Sequence, residues 1–388
     1  MSAKPTIIVL ARQVGAANAF VPLIRELAAR EPEFGLVLFG VSHAYWTWRD
    51  NGLLPIEVQA FAEALPCLAE IGDPRFLLTG TSASAWDDSR FWDWARKRSI
   101  PSLAFVDSWI GYGRRFSSHP QSSRLFDCLP DKIAVIDEVA AEGMQKAGCP
   151  PELLFVTGHP GFDDLPDLRG LMDFSLRKKI APSDIDRFVL FVSTPHLEAR
   201  GPQGDQVLTY TETEALELTI SVLEELGRER MERIFLAVKP HPREGTAGFQ
   251  LFLASHRVLE WVNFRLVDKE DSYALVASAD LVVGMSSVLL YEASLMGRPV
   301  VSIRTSRRQE DDTVDCHRGI RVALNREQAL NSLREILVSE PGGGGEEVKP
   351  ASRNATGNFV SYILEKSGRF GVKPGSGISG PKGPRFLT

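Results

Sequence analysis

Cysteine is scarce in this sequence. The 388 residues include four, Cys67, Cys128, Cys149 and Cys316, and no two of them form a Cys-x-x-Cys pair or cluster with histidine. A disulfide framework needs a dense set of cysteines, and a structural zinc site needs ligands a few residues apart. The pattern disfavours both, and we interpret the four side chains as buried or incidental thiols.

Long apolar runs are also missing. No uninterrupted stretch approaches the roughly 20 residues that span a bilayer. The N-terminal run IIVLA is too short for a signal peptide. We therefore expect a cytoplasmic protein without an integral membrane segment, and peripheral association stays open.

The chain has no excess of basic charge. It carries 44 Lys and Arg against 50 Asp and Glu, a formal net charge of -6, with the two signs interspersed. Such a chain offers no broad basic surface, so nucleic acid is not expected as a partner. An anionic substrate would need a local pocket.

Short apolar runs alternate with helical patterns along most of the chain. PTIIVLA, FGLVLFGVS and SLAFVD are typical of buried parallel strands, and a second series begins at RFVLFVS. A hydrophobic content of 44% can fill two cores in a chain of this length. We predict an α/β protein with two Rossmann-like parallel-sheet domains facing a cleft.

The predicted boundaries follow these two series. The N-terminal domain covers 1–165 and the C-terminal domain 166–345, with a helix over 162–179 linking them. Residues 346–388 comprise a short terminal helix and a tail rich in Gly and Pro, a composition that predicts little order.

The most informative segment runs from Asp271 to Arg304. The strand pattern ADLVVG breaks at Gly284 into Ser286 and Ser287, where a helix begins. A helix N-terminus has unpaired N–H groups and a positive dipole end, so the turn predicts a nucleotide-phosphate site. Glu292, on the same helix, would then reach the ribose hydroxyls. The alternative is a serine cap followed by a solvent-facing glutamate.

This segment resembles the donor-binding half of GT-B-fold proteins, which include glycosyltransferases and nonhydrolysing UDP-N-acetylglucosamine 2-epimerases. VTGHPGFDDL at 156–165 and RFVLFVSTPHLEARG at 187–201 are similar to segments of the epimerases. IFLAVKPHPRE at 234–244 resembles an element of capsule and teichoic-acid polymer transferases. Together these motifs cover most of residues 5–340, and the resemblance implies a GT-B fold.

Two further loops carry candidate cations. In Lys239-Pro240-His241-Pro242-Arg243 two prolines stiffen a strand end that presents three basic side chains. These cations could neutralise a leaving diphosphate, with Lys239 and Arg243 binding donor phosphate. The resemblance implies that His241 binds donor phosphate or stabilises the leaving group. The alternative is a strand end with solvated cations. His196 could meet phosphate or acceptor, or lie in an exposed turn.

A transferase also needs a base and an acceptor site in the first domain. Asp107 ends the strand SLAFVD and resembles in position a catalytic acid of the epimerases, although it could instead cap the next turn. His43 and His119 are other candidate bases, and aromatic neighbours of His43 could form an acceptor platform. Gly15 and Asn18, in a loop resembling the first GT-B loop, complete the predicted acceptor side.

The departures from the epimerase pattern guide the choice of reaction. Epimerases of this kind keep His-Arg-Arg-Glu and Ser-Gly-Gly, where this chain has Thr-Pro-His-Leu-Glu at 194–198 and Ser-Ser-Val at 286–288. We therefore predict a metal-independent glycosyltransferase of surface polysaccharide or glycoconjugate synthesis, without a cofactor. It would take a nucleotide-activated sugar and a saccharide or lipid-linked acceptor. The alternatives are a nucleotide-sugar 2-epimerase and a noncatalytic nucleotide- or sugar-binding relative.

Overall fold

The computed structural model divides the chain into two compact units. Unit 1 comprises Met1–Asp164 and Pro350–Thr388, and unit 2 comprises Leu165–Lys349. The residues that the structure describes are 4–30, 34–82, 87–118, 124–169, 171–194, 210–241, 244–255, 259–305, 317, 319–338, 354–368 and 385–386.

Strands and helices alternate through both units. The strands are β1 (Pro5–Ala11), β2 (Gly35–Gly40), β3 (Ile56–Glu57), β4 (Asp73–Thr79), β5 (Ser102–Val106), β6 (Lys132–Val135), β7 (Leu154–Val156), β8 (Arg187–Val192), β9 (Ile234–Lys239), β10 (Val262–Leu266), β11 (Leu281–Gly284), β12 (Val300–Ile303), β13 (Arg321–Ala323) and β14 (Arg385–Phe386). The helices are α1 (Val14–Arg30), α2 (His43–Asp50), α3 (Phe61–Glu70), α4 (Asp88–Arg96), α5 (Glu138–Lys146), α6 (Phe174–Ile180), α7 (Glu212–Arg230), α8 (Thr246–Ser255), α9 (Ser272–Ser278), α10 (Val288–Leu295), α11 (Arg326–Val338) and α12 (Ala355–Lys366).

The sheet of unit 1 has the strand order β14-β7-β6-β5-β4-β1-β2-β3. All its pairings are parallel except that of β14 with β7. Every residue of β5 is buried, as expected for a strand covered on both faces. The chain order reverses between β1 and β4, which creates a switch point at their carboxyl ends.

The sheet of unit 2 has the order β10-β9-β8-β11-β12-β13, and all its pairings are parallel. Numbered from β8, this is the Rossmann order 3-2-1-4-5-6. The reversal lies between β8 and β11. The predicted α/β fold with two Rossmann-like parallel sheets is confirmed.

The terminal helix α12 packs on unit 1, although it follows unit 2 in the chain. The Asp163 carboxylate accepts hydrogen bonds from the backbone N–H groups of Ala355 at 2.8 Å and Thr356 at 2.7 Å. The Phe359 ring lies 5.3 Å from that of Phe105, between centroids. Of the predicted tail, residues 369–384 and 387–388 lie outside the described residues.

The predicted helix over 162–179 is wrong, since α6 is the only α-helix among the described residues of that segment. Pro166 interrupts the segment because proline lacks the N–H that a helix interior requires. Asp173 then starts α6, its side chain accepting a hydrogen bond from the Ser175 N–H at 2.8 Å. In a helix this short, the cap is a large part of what defines its start.

His159, in the VTGHPGFDDL segment, packs inside unit 1. Its Nδ1 accepts a hydrogen bond from the Gly161 N–H at 3.1 Å, and its ring stacks on Phe162 at 4.0 Å. Burial lowers the pKa of His159 to about 3, so the imidazole is neutral at physiological pH. We therefore assign it a packing role.

Cys128 and Cys149 are buried and Cys67 is half-buried, all three as free thiols, while Cys316 lies outside the described ranges. None of the helices described has the length and apolar character needed to cross a membrane.

Candidate functional site

The two switch points are the places in this fold where a ligand is expected. In open α/β sheets, ligands bind beyond the carboxyl ends of the strands where the order reverses. In unit 1 this position holds the residues that follow β1 and β4. In unit 2 it holds Ser193, after β8, and the serine turn that follows β11.

The serine turn connects β11 to α10. The Ser287 side chain caps α10 by accepting a hydrogen bond from the Leu289 N–H at 3.3 Å, and Ser286 beside it is half-buried. Gly284 permits the close approach of strands here, because a Cβ on it would lie 2.6 Å from the Val192 carbonyl oxygen. The turn therefore presents hydroxyls and helix N–H groups at the switch point.

Glu292 lies in the second turn of α10 and is half-buried. Its Oε1 accepts a hydrogen bond from the Tyr273 hydroxyl at 3.1 Å. Loss of water around the carboxylate raises the pKa of Glu292 to about 7, and the bond from Tyr273 opposes that rise. The glutamate is thus not the solvated side chain of the alternative interpretation.

The loop after β9 is held by Glu244. Its carboxylate accepts hydrogen bonds from the Ser193 hydroxyl at 2.9 Å and from the His241 backbone N–H at 2.6 Å. The Lys239 ammonium donates a hydrogen bond to the Glu270 backbone carbonyl oxygen at 2.9 Å, and burial lowers the pKa of this lysine. Glu244, which sequence reasoning missed, thus ties the His241 loop to the end of β8.

Three of the residues that the sequence predicted for the site lie outside the described residues. They are the candidate base His119 and the cationic residues His196 and Arg243.

In unit 1, Asp107 follows β5 and is almost fully buried. Its Oδ1 lies 3.3 Å from Nη1 of Arg115, whose side chain is equally buried. Burial raises the pKa of Asp107, and the guanidinium opposes that rise. A Cβ at Gly15 would lie 2.4 Å from Oδ2 of Asp107, so the sequence-predicted Gly15 and Asp107 are in contact.

Arg115 is itself fixed by several hydrogen bonds. Its Nη1 donates to the hydroxyl of Thr81 at 3.0 Å and its Nη2 to the hydroxyl of Ser108 at 2.6 Å. The loop after β5 therefore carries a buried ion-pair partner of Asp107.

A second buried carboxylate lies at the same sheet edge and was not predicted. Asp88, the first residue of α4, is 1% exposed, and its Oδ1 accepts a hydrogen bond from Arg12 Nε at 3.3 Å. Burial raises the pKa of Asp88 to about 6. Its Oδ2 forms no hydrogen bond with any residue that the structure describes. The acidic pair Asp87-Asp88 after β4 was the available signal.

The remaining acceptor-side predictions are exposed. Asn18 lies on the exposed face of α1, and His43 begins α2 with its Nδ1 at 3.3 Å from the Ser42 hydroxyl. Of the nearby aromatic residues, Trp48 is fully buried and donates its Nε1–H to the Ala17 carbonyl, while Trp46 is exposed. The structure brings neither Asn18 nor His43 into the buried cluster around Asp107.

Metal ligands are not grouped in the described part of the chain, where no three His, Cys, Asp or Glu side chains could hold one ion.

A family model described as UDP-N-acetylglucosamine 2-epimerase matches residues 124–356, more than half of the chain. The chain belongs to the UDP-N-acetylglucosamine 2-epimerase family. The match includes the serine turn, Glu292 and the His241 loop, so this epimerase-family protein carries its candidate nucleotide residues inside the matched region. No curated protein sequence matches the chain significantly.

Several solved structures share the fold of this family member. MnaA from S. aureus, in a co-structure with UDP, is 13% identical with a TM-score of 0.65, over 95% of this chain and 99% of that one. The UDP-GlcNAc 2-epimerase of Neisseria meningitidis, bound to UDP-GlcNAc, is 14% identical with a TM-score of 0.64, over 93% and 100%. MurG of Acinetobacter baumannii is 10% identical with a TM-score of 0.53, over 93% and 99%. The predicted GT-B resemblance is confirmed.

The glycosyltransferase prediction is wrong, because the matching family is that of the 2-epimerases. The prediction gave weight to Ser287, which stands where such epimerases have glycine. Ser287 has φ -72° and ψ 141°, an ordinary extended backbone that does not require glycine. The saccharide or lipid-linked acceptor was expected only for a glycosyltransferase, so this expectation is withdrawn as well.

Proposed function

We propose that this protein interconverts UDP-N-acetylglucosamine and its epimer at C2, UDP-N-acetylmannosamine. The family match over 124–356 is the observation that carries the proposal. The co-structures of relatives with UDP and UDP-GlcNAc support the choice of nucleotide. The earlier alternative of a nucleotide-sugar 2-epimerase thus becomes the main hypothesis.

Unit 2 offers groups suited to the UDP moiety. The first N–H groups of α10 and the hydroxyls of Ser286 and Ser287 are donors for diphosphate oxygens. The Glu292 carboxylate is an acceptor for ribose hydroxyls. We propose that these groups bind the nucleotide without a cofactor.

Unit 1 offers groups suited to the reacting sugar. Inverting C2 requires that its hydrogen be removed from one face and returned to the other, so two acid or base groups are needed. Asp107 and Asp88 are buried carboxyls, and burial raises the pKa of each above its ordinary value. We propose Asp107 as one of the two groups, with Asp88 the candidate for the second.

The proposal is tested by incubating the protein with UDP-GlcNAc in D2O and recording proton NMR spectra. We expect new signals of UDP-N-acetylmannosamine and loss of the C2 proton signal, because a removed proton exchanges with solvent. UDP-GlcNAc that binds but gives neither product nor exchange would contradict an epimerase and support the noncatalytic alternative.

Replacing Ser286 and Ser287 together by alanine should weaken UDP binding by about 10-fold or more, since two hydrogen bonds to a charged ligand are lost. Isothermal calorimetry with UDP measures the effect. Ser294→Ala, on the same helix but with its hydroxyl bonded to the Tyr291 carbonyl, is the matched control. Equal UDP affinity in the double variant and the wild type would remove the serine turn from the site.

A further inference from the structure

Tyr273 and Glu292 come from the two helices that flank β11. Tyr273 is the second residue of α9, whose start is fixed by Asp271 accepting a hydrogen bond from the Ala274 N–H at 2.9 Å. Helices of a parallel α/β unit run opposite to the strands, so α9 and α10 both begin at the carboxyl edge of the sheet. The Tyr273 hydroxyl therefore meets Glu292 on the same edge as the serine turn.

The contact leaves the glutamate half satisfied. Oε1 accepts the bond from Tyr273 at 3.1 Å, and no other described residue donates to the Glu292 carboxylate. A carboxylate can accept hydrogen bonds at both oxygens. Oε2 thus remains as an acceptor beside the proposed phosphate site, in a setting where burial already weighs against the charged form.

Tyr273 is well suited to hold that carboxylate. Burial and the neighbouring carboxylates of Glu292 and Asp271 raise the pKa of the Tyr273 phenol, so it stays protonated and acts only as a donor to Glu292. Because the phenol stays neutral at physiological pH, it stabilises the Glu292 anion and does not itself change protonation state in the range where Glu292 titrates. Tyr273, 38% exposed, also lies where a ligand can reach the pair.

We propose that Tyr273 is a positioning residue of the nucleotide site: its hydroxyl holds Oε1 of Glu292 so that Oε2 accepts the ribose hydroxyls of UDP. The inference rests on the proposed function, because it takes UDP as the ligand. It assigns Tyr273 a role that no sequence pattern indicated, since a single tyrosine at a helix start has no signature.

The contact between Tyr273 and Glu292 should make UDP binding depend on pH. Glu292 must be charged to accept two ribose hydroxyls, so UDP binding should weaken as the pH falls below about 7. Tyr273 on α9 is the titratable group that contacts Glu292. The charge of Asp271, at the cap of α9, helps to raise the pKa of Tyr273. Because the phenol bond lowers the pKa of Glu292, Tyr273→Phe should raise that pKa and move the acid limb of UDP binding to higher pH.

The experiment is isothermal titration calorimetry with UDP from about pH 5.5 to about pH 8.5, a range that includes the pKa of Glu292. The proteins compared are wild type, Tyr273→Phe, Glu292→Gln and the double variant. We expect Tyr273→Phe to weaken UDP binding at pH 7 by about three- to tenfold, as for a lost bond to a charged group. In the Glu292→Gln background the same change should have little further effect. Tyr45→Phe, in unit 1, is the control for removing a phenol oxygen.

A second ligand separates positioning from general loss of structure. With 2′,3′-dideoxyuridine diphosphate, which lacks the ribose hydroxyls, wild type and Tyr273→Phe should bind alike. Unchanged UDP affinity and an unchanged pH midpoint in Tyr273→Phe would overturn the inference while leaving the proposed function intact. Tighter UDP binding by that variant would also overturn it, since Tyr273 would then compete with the ribose. A wild type that binds no UDP at any pH would instead overturn the proposed function and, with it, the role of Tyr273.

Discussion

Asp107→Asn should abolish most of the epimerase activity while leaving UDP binding unchanged. Asparagine keeps the size of the side chain and can still accept the bond from Arg115, but it cannot take up a proton. Loss of a general base or acid lowers rates by about 10²- to 10⁴-fold. Initial rates of UDP-N-acetylmannosamine formation measure kcat, and solvent-deuterium incorporation at C2 measures the proton transfer alone.

Asp137→Asn is the control for that variant. Asp137 is also a buried carboxyl after a strand of the same sheet, and burial likewise raises its pKa. Its oxygens are used, however, by the Trp109 Nε1–H at 2.9 Å and by the Ala140 N–H that it caps at 2.7 Å. We expect kcat of Asp137→Asn to stay near that of the wild type. A kcat of Asp107→Asn equal to that of this control would move the acid/base role to another residue.

Arg115→Met should destabilise unit 1 by about 3–5 kcal/mol, because it leaves a buried carboxylate without its partner. Asp107 and Arg115 have side-chain exposures of 10% and 9%, so water cannot replace the guanidinium. The variant also removes the donors to Thr81 and Ser108. Urea unfolding followed by tryptophan fluorescence measures the change in the midpoint, with each transition analysed separately in this two-unit chain.

Two further variants make the stability prediction specific. Arg114→Met changes the neighbouring arginine, which is exposed, and should leave the unfolding midpoint nearly unchanged. Asp107→Asn combined with Arg115→Met should be less destabilised than the sum of the two single changes, because the unpaired charge is then absent. Strict additivity would mean that the ion pair contributes nothing beyond its separate side chains.

The strands of the fold were readable from the sequence because parallel strands buried on both faces are continuous apolar runs. PTIIVLA coincides with β1, and RFVLFVS covers β8. Helix α6 was misplaced, because Pro166 interrupts the predicted segment and the side chain of Asp173 sets the start of the helix. The sequence also did not indicate that α12 packs on unit 1, because the contact of Asp163 with Ala355 joins residues far apart in the chain.

The residues of the candidate site also fall into those that the sequence predicted and those that it did not. Ser286, Ser287, Glu292 and Asp107 were predicted from strand ends and helix starts, and their roles remain predictions. Asp88, Glu244, Arg115 and Tyr273 were not predicted. Each of these four acts through a partner brought near by folding, such as Arg12, Ser193, Asp107 or Glu292, and side-chain pairing of this kind leaves no fixed spacing in the sequence.

The α/β class, the two series of strands and the serine turn at a helix start could be read from the amino-acid sequence alone, because these features depend on the local apolar period and on turn chemistry. The reaction was not readable in this way, since the same GT-B fold serves more than one chemistry and a turn of two serines does not decide among them. Which carboxyls are buried, and which side chains each one contacts, depends on the folded arrangement of the strands and helices. Their raised pKa values follow from that burial, which a linear sequence does not record.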